Sequence, residues 1–386
     1  MTTTPVAVVG GGPAGLAVAA MLRREGIAAL VLEAGDEVGS AWSGRYDRLH
    51  LHTHRRLSAL PGQPMPRGLG AWPSRDAVRA YLRAYARTQG LDVLTRTRVE
   101  RIDRDGAGWT LTASSGAVTA SRVVVATGLN AEPVVPEWPG RDGFAGELVH
   151  SAAYRSPAPY AGRAVLVVGA GNSGAEIAVD LVEGGASPVW LAVRTPPHVV
   201  RRDTAGFPSQ ALGIVLSRLP ARVVDPVAAG LRRVSLPDLT AQGLPPQPRP
   251  YSRFLERRQI PIVDVGIVAA VGRGDVKVVP AVEGFDAADV LLAGGRRLRP
   301  DAVVAATGFR PVLEPLVGHL GVLDASGRPL VAAAQEDPAA PGLHFVGFTV
   351  TLGGTLRRVG QEARELARHV AASRREALPP AAPTPA

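Results

Sequence analysis

The sequence predicts an α/β fold made of two Rossmann-like dinucleotide-binding domains, the second inserted into the first. Three observations carry this expectation. A pattern of strand, glycine turn, helix and strand occurs twice, once as Val6-Ala-Val-Val-Gly-Gly-Gly-Pro-Ala-Gly15 leading to Ala28-Ala-Leu-Val-Leu-Glu33, and again as Ala164-Val-Leu-Val-Val-Gly-Ala-Gly-Asn-Ser-Gly174 leading to Pro188–Arg194. The strands in both are continuous apolar runs, the pattern of parallel strands buried on both faces. Two further strands each end in Ala-Thr-Gly, at residues 126–128 and 306–308, one before and one after the second glycine turn. The expected boundaries are 1–157 with 305–386 for the first domain and 158–304 for the second.

The elements follow in order. The first turn leads into a helix ending near Arg24. A second helix is expected from about Ser74 to Gln89, with Tyr81, Leu82 and Tyr85 on one face. Strands follow at Asp92-Val-Leu94, Arg98–Asp103 and Trp109–Thr112, then the first Ala-Thr-Gly. The second turn opens a helix reaching about Glu183. Residues 196–260 are too long and irregular for a simple connection and predict a partly helical cover, with helices near Ala211–Leu219 and Pro226–Val234. A last helix is expected from about Gly354 to Ser373, and the Pro/Ala-rich end, 376–386, reads as disordered.

Composition narrows the class. The chain has 386 residues, 46% of them hydrophobic, enough for two or three domains with real cores. It has no cysteine, which removes disulfides, thiolate metal sites and any redox dithiol. The net charge is +9, but Lys277 is the only lysine and the arginines are scattered, with no basic stripe carrying aromatics. No nucleic-acid partner is expected. No apolar run approaches the roughly 18 residues of a membrane span, and Val6–Val9 reads as a first strand instead of a signal segment. A cytoplasmic enzyme without membrane attachment is the expectation.

The glycine turns have a physical reading. Gly10 permits a sharp turn, Gly12 leaves room for a pyrophosphate, and Gly15 allows close helix–strand packing. The helix N-terminus then faces the phosphates. Glu33, ending the next strand, is positioned to bind a ribose. Gly169, Gly171 and Gly174 repeat the arrangement, but there the second strand ends in Arg194-Thr195. Without an acid, and with an arginine, the second site favours a 2′-phosphate. An acidic first site and a basic second one imply FAD and NADPH.

Phe144-Ala-Gly-Glu-Leu-Val-His-Ser-Ala-Ala-Tyr154 precedes the second turn and spaces Phe144, Gly146, His150 and Tyr154 as F-x-G-x-x-x-H-x-x-x-Y. With the two turns, "GSAW" (39–42), "YDRLHLHT" (46–53), "ATG" (126–128), "IPIVDVG" (260–266) and "ATGF" (306–309), it carries a resemblance over nearly the whole chain. The sequence resembles the class B flavin-dependent monooxygenases of the flavin-containing monooxygenase type, closest to the YUCCA-like and bacterial branch. In the related Baeyer–Villiger enzymes the fingerprint usually ends in Trp, where this chain has Tyr154.

The resemblance implies that NADPH reduces FAD, that O2 adds to the reduced flavin, and that a C4a-(hydro)peroxyflavin oxygenates a small molecule. N- or S-oxidation and oxidation of a 2-oxo acid are the expected outcomes. Baeyer–Villiger chemistry, or NADPH oxidation without oxygenation, is the alternative. A disulfide reductase of similar architecture is opposed by the absence of cysteine. The resemblance also implies cofactor contacts from Trp42, Val99, Thr127 and Gly128, and from Asn172 and Ser173 in the second turn. His54 stands where many relatives carry an asparagine near the flavin C4a. It either hydrogen-bonds the oxygenating species or NADP, or is a spectator. His50, His52 and His54 would share a face on a strand, but no nearby acid or cysteine completes a metal set. Gly347, Phe348, Gly353 and Gly354 precede the last helix, whose N-terminus is available to the flavin. Arg201 and Arg202 are candidates for a cofactor phosphate or an acidic substrate. His150 is expected to make structural bonds at a hinge, with Tyr154 near the cofactor cleft. A homodimer is compatible with the sequence.

Overall fold

The structure, a computed structural model, describes residues 2–204 and 206–376. The Pro/Ala-rich end expected to be disordered falls, from residue 377 onward, outside the described residues.

Apolar runs at both glycine turns form the central strands of two sheets. In the first, Asp92–Leu94, Ala29–Leu32, Thr2–Val9 and Val118–Val125 lie side by side and parallel. The N-terminal half of Val118–Val125 pairs antiparallel with Gly108–Ala113, which pairs antiparallel with Val99–Asp105; its C-terminal half takes Leu343–Phe345 as a parallel neighbour. The second sheet is all parallel, in the order Val276–Val279, Val189–Ala192, Val165–Val168, Ala302–Ala305, Glu147–His150. Its edge strand Val276–Val279 carries the exposed Lys277.

All five strands of the second sheet fall, in chain order, between two adjacent strands of the first. The strand Glu147–His150 belongs to this second sheet, so the change of sheet comes before residue 147, not at 157 as expected. As an edge strand with polar ends it lacks the apolar run that marks its neighbours. The outgoing and returning chain meet where Glu132–Pro133 pairs antiparallel with Phe309–Arg310.

Each sheet is covered on both faces, as parallel sheets must be. Helices Pro13–Arg24, Arg75–Thr88 and Thr355–Glu376 bury one face of the first, around Leu16, Val31, Leu82 and Leu366. Ser74 caps Arg75–Thr88 by accepting from the Ala77 N–H at 3.3 Å. Val78, Tyr81, Leu82 and Tyr85 form its buried stripe, and each such side chain contributes roughly 1.5–3 kcal/mol. The phenols of Tyr81 and Tyr85 donate to the Gln63 and Pro61 carbonyls, both at 2.7 Å, so the helix also fixes the 60–63 loop. Helices Asn172–Glu183 and Ile267–Arg273 cover one face of the second sheet. The small antiparallel sheet Val282–Phe285, Val290–Leu292, Arg296–Leu298 covers the other, with Trp138 and Phe144.

Residues 196–260 contain helices Ser209–Leu216, Ala221–Ser235 and Pro250–Arg257. Pro226 was expected to open a helix but lies inside one that begins five residues earlier. Beside Pro226 the buried Asp225 carboxylate accepts the Tyr251 and Ser252 N–H groups and the Ser252 hydroxyl, which pins this helix to its neighbour.

Candidate functional site: two glycine turns and the loop between them

The two turns share one geometry. Gly10 and Gly169 have φ of +111° and +112°, a region glycine adopts without strain. A Cβ on Gly10 would come within 2.7 Å of the Ala126 carbonyl, and one on Gly169 within 2.5 Å of the Ala306 carbonyl. Each turn is thus pressed against an Ala-Thr-Gly strand end. A Cβ on Gly15 or Gly174 would stand 1.9 Å from the carbonyl of Gly10 or Gly169, so both helices pack where only glycine fits. At Gly12 and Gly171, by contrast, a Cβ would meet nothing within 4 Å. These two residues open the helices Pro13–Arg24 and Asn172–Glu183, and among the described residues no side chain caps either helix. An uncapped helix N-terminus facing open space fits a phosphate.

The turns differ at the end of the next strand. Glu33 is 7% exposed, and its carboxylate accepts from the Gly11 N–H (2.6 Å), the Gly35 N–H (2.6 Å) and the Ser40 hydroxyl (2.9 Å). Ser40 begins the short helix that carries Trp42, whose ring packs on the first core. Thr127 Oγ1 is buried without a hydrogen-bond partner among the described residues. Gly128, at φ +82°, has no atom near its Cβ position. An orphaned buried hydroxyl beside an open glycine fits a polar ligand lying against the strand end. Val99 is buried in the core of the first domain.

At the second turn Arg194 is exposed and Thr195 half-buried. Arg194 has no ion-pair partner among the described residues. Asn172 commits its carboxamide to the chain: Nδ2 donates to the Pro261 carbonyl at 3.1 Å and Oδ1 accepts the Val263 N–H at 2.8 Å. What Asn172 offers a ligand is therefore its backbone, while its side chain holds the "IPIVDVG" segment against the turn. Ser173 lies beside it in the first helical turn.

The loop between the turns is not a strand, and its three histidines part company. His50 Nδ1 lies 2.7 Å from the Arg48 carbonyl, His52 Nε2 lies 2.8 Å from Glu176 Oε1, and His54 caps the short helix Arg55–Ser58. The shared face expected for them is absent because this segment bends at residues 52 and 53. His54 Nδ1 accepts the Arg56 N–H at 3.2 Å, which leaves its proton on Nε2. Burial, then the Arg55 and Arg56 charges, lowers its pKa, so the ring is neutral at pH 7. The ring stands edge-on to Trp72, 5.5 Å between centroids, and the Arg202 guanidinium lies over the same indole at 5.0 Å. Arg201 is occupied elsewhere, donating to the Ser235 carbonyl at 2.6 Å. The His54 N–H donates to Gln210 Oε1 (2.9 Å), and Gln210 Nε2 donates to the Gly353 carbonyl (2.7 Å). Helix Ser209–Leu216 is thereby fastened to both loops. Gly347 donates its N–H to the fully buried Glu362 at 2.9 Å, which fixes the end of strand Leu343–Phe345 to the last helix. Phe348 packs at 6.2 Å from Phe345, and Gly354, at φ +91°, directly precedes that helix.

The fingerprint is structural. The Phe144 ring packs 5.1 Å from Phe285 and folds over Gly146, where a Cβ would lie 2.5 Å from the ring. That contact explains the F-x-G spacing. His150 Nδ1 accepts the Ala152 N–H and Nε2 donates to the Gly308 carbonyl, both at 3.0 Å. Burial lowers its pKa and keeps it neutral. Tyr154 was expected near the cofactor cleft but is 1% exposed, stacked on Tyr160 and donating to Asp180 at 2.8 Å.

Sequence reasoning missed Tyr46, Trp72, Glu176 and Gln210. For Glu176 there was a signal: Glu176, Asp180 and Glu183 recur on one face of an otherwise apolar helix. Gln210 and Trp72 gave none.

Two sheets, each with parallel central strands and a glycine turn open to a phosphate, define a two-dinucleotide oxidoreductase. Residues 7–204 match the family model described as pyridine nucleotide-disulphide oxidoreductase. The chain is 33% identical to the probable indole-3-pyruvate monooxygenase YUCCA4 of Arabidopsis thaliana, over 89% of this chain and 84% of that one. It is 37% identical to the indole-3-pyruvate monooxygenase YUCCA1 of Oryza sativa subsp. japonica, over 89% and 86%. Among solved structures, the flavin-containing monooxygenase of Stenotrophomonas maltophilia superposes with a TM-score of 0.75 at 30% identity, over 97% of this chain and 99% of that one. The chain belongs to the flavin monooxygenases of the YUCCA and flavin-containing monooxygenase type, oxidoreductases that use FAD and NADPH. Having no cysteine, it cannot perform the dithiol chemistry in the family model's description. No helix among the described residues is long and apolar enough to cross a membrane.

Proposed function

We propose that this protein is an NADPH- and O2-dependent monooxygenase acting on a small carboxylate-bearing molecule, with a 2-oxo acid as the substrate class. The observation that carries the reading is the pair of matched glycine turns, one followed by the buried acid Glu33 and the other by the exposed Arg194. In this reading the first sheet with its helices is the FAD domain and the second, inserted one is the NADPH domain. The helices of 196–260 cover the space between them.

When bound, FAD would supply the redox chemistry that couples NADPH oxidation to the activation of dioxygen. The chain's own residues bind and shield. Gly10, Gly12 and Gly15 admit the FAD pyrophosphate to the first helix N-terminus, with Glu33 at the ribose and Thr127 and Gly128 along the strand end. Gly169, Gly171 and Gly174, with the backbone of Asn172 and Ser173, do the same for NADPH. Arg194 and Thr195 receive the 2′-phosphate. One solved variant of the Stenotrophomonas enzyme carries substitutions to Arg and Thr at adjacent positions, the dipeptide this chain has naturally. His54 holds a proton on Nε2 for donation into the site. Arg202, held over Trp72 beside His54, offers a cation to a substrate carboxylate, and the indole offers an apolar platform. Helix Ser209–Leu216, latched by Gln210, keeps water from the reacting groups. For a 2-oxo acid the balance is R-CO-COOH + O2 + NADPH + H⁺ giving R-COOH + CO2 + NADP⁺ + H2O.

The test is a substrate screen of 2-oxo acids, ketones, amines and thioethers, following NADPH loss, O2 loss and product mass together. Conversion of a 2-oxo acid to the carboxylic acid one carbon shorter, with one product per NADPH, is expected. Hydrogen peroxide in equal amount to NADPH with every substrate would refute oxygenation. Arg194→Ala should lower the preference for NADPH over NADH by about tenfold or more, the scale of a charge-assisted hydrogen bond; an unchanged ratio would remove Arg194 from the 2′-phosphate site.

A further inference from the structure

The segment from Gly44 to His54 leaves the first domain and reaches helix Asn172–Glu183 of the second. Two of its side chains end on one carboxylate there. Tyr46, 4% exposed, donates its phenol to Glu176 Oε2, and His52 Nε2 lies 2.8 Å from Oε1. Glu176 is itself 3% exposed. Both of its oxygens are taken by a loop more than a hundred residues away in sequence, and none by its own helix. Burial, then the Glu176 charge, raises the Tyr46 pKa well above the ordinary range, so the phenol remains a donor. The Tyr46 ring is also held edge-on to Tyr154, 6.4 Å between centroids. The next acids on the same helix face repeat the arrangement: Asp180 accepts from Tyr154, and Glu183 pairs with Arg48 of the loop.

The position of Glu176 on its helix gives the contact a use. It lies one turn after Asn172, in the helix whose uncapped N-terminus forms the second glycine turn. Two residues beyond His52 in the loop stands His54, with Nε2–H available and its backbone fastened to Gln210. One carboxylate therefore links the helix at the second dinucleotide turn to the segment that carries His54.

We infer that Glu176 is a positioning residue which, through Tyr46 and His52, transmits occupancy of the second glycine turn to the 44–54 segment, ordering it when the pyridine nucleotide is bound. The inference rests on the assignment of NADP to that turn. A carboxylate is required because two donors converge on it. Glutamine would offer one oxygen and turn an N–H2 group against the other donor. A buried group left unpartnered loosens what it held.

The test is hydrogen exchange followed by mass spectrometry on the FAD-loaded, full-length protein with and without NADP⁺. In the wild type, NADP⁺ should slow exchange both at 169–176 and at 44–54. In Glu176→Gln the protection at 169–176 should persist while that at 44–54 falls by about tenfold, the scale of one lost buried hydrogen bond. Tyr46→Phe, which removes a single hydroxyl, should act in the same direction, and the double variant should be no worse than Glu176→Gln alone. The share of oxidised NADPH that appears as hydrogen peroxide should rise in both variants, with the KM for NADPH unchanged. Protection at 169–176 without protection at 44–54 in the wild type overturns the inference and leaves the nucleotide assignment standing. So does equal protection of 44–54 in wild type and both variants. Absence of NADP⁺ protection at 169–176 in the wild type overturns the nucleotide assignment and the inference with it. If Glu176→Gln does not fold, the Tyr46→Phe result decides alone.

Discussion

Glu33 shows how much one side chain organises at the first turn. Its carboxylate collects three donors from three stretches of chain, Gly11, Gly35 and Ser40. It therefore sets the shape of the turn, and in the function proposed above it also meets a ribose. Hydrogen bonds to a buried charged acceptor contribute about 1.5–3 kcal/mol each, though not additively. Glu33→Ala should bind flavin at least about tenfold more weakly, equivalent to about 1.4 kcal/mol of lost binding, read as flavin absorbance per protein across a titration of FAD. Normal loading would show that the acid serves only the turn. Its place at the turn was legible in the sequence because its distance from the glycines follows from the strand, turn, helix and strand pattern. For Glu176 the acids recurring on one helix face were a signal, but its partners Tyr46 and His52 come from a distant loop, so the meeting itself was not legible.

At the scale of elements, the glycine turns, their helices and the parallel strands were readable from hydrophobic periodicity and steric need. The cover was not. Helices Ser209–Leu216 and Ala221–Ser235 begin earlier than the sequence indicated, because tertiary anchors, Gln210 and Asp225, replace the local caps by which helix starts are recognised. The edge strand Glu147–His150 was likewise misplaced, since only its register with Ala302–Ala305 assigns it to a sheet. Gln210 gives the element-level prediction. Its carboxamide satisfies the His54 N–H and the Gly353 carbonyl, so Gln210→Ala leaves both without that partner. Stability should fall by about 2 kcal/mol, measured by denaturant unfolding. Flavin loading should stay intact, and hydrogen peroxide per NADPH should increase as helix Ser209–Leu216 loosens. Unchanged coupling would show that this helix does not shield the site.

Over the whole molecule, several histidines are held neutral by burial. His150 and His344 lie below the ordinary histidine range, and His198 is pushed down to about 4, in each case with burial as the largest cause. Glu336, which faces His344 and His369, is held below the ordinary carboxylate range. The signs agree. A histidine depressed in the folded state binds its proton first in the unfolded chain, so stability is full above about pH 6.5 and falls as pH drops toward the folded value. A depressed carboxylate loses its contribution at still lower pH. The melting temperature should therefore fall steadily from pH 7 to pH 4, and His198→Asn should flatten the upper part of that slope. A melting temperature that rises on acidification would contradict the burial of these rings.

The sheet order has a practical consequence. It leaves the one lysine, Lys277, exposed on an edge strand of the second sheet, in a chain with no cysteine at all. Lys277 is the one side-chain amine for a fluorophore, the chain's α-amine being the other reactive amine, and a cysteine introduced at exposed Gly44 would be the molecule's sole thiol. The pair makes a two-colour ruler from the edge of one sheet to the loop that leaves the other, needing no residues to be removed beforehand. It can follow the two halves of the enzyme during turnover, one molecule at a time.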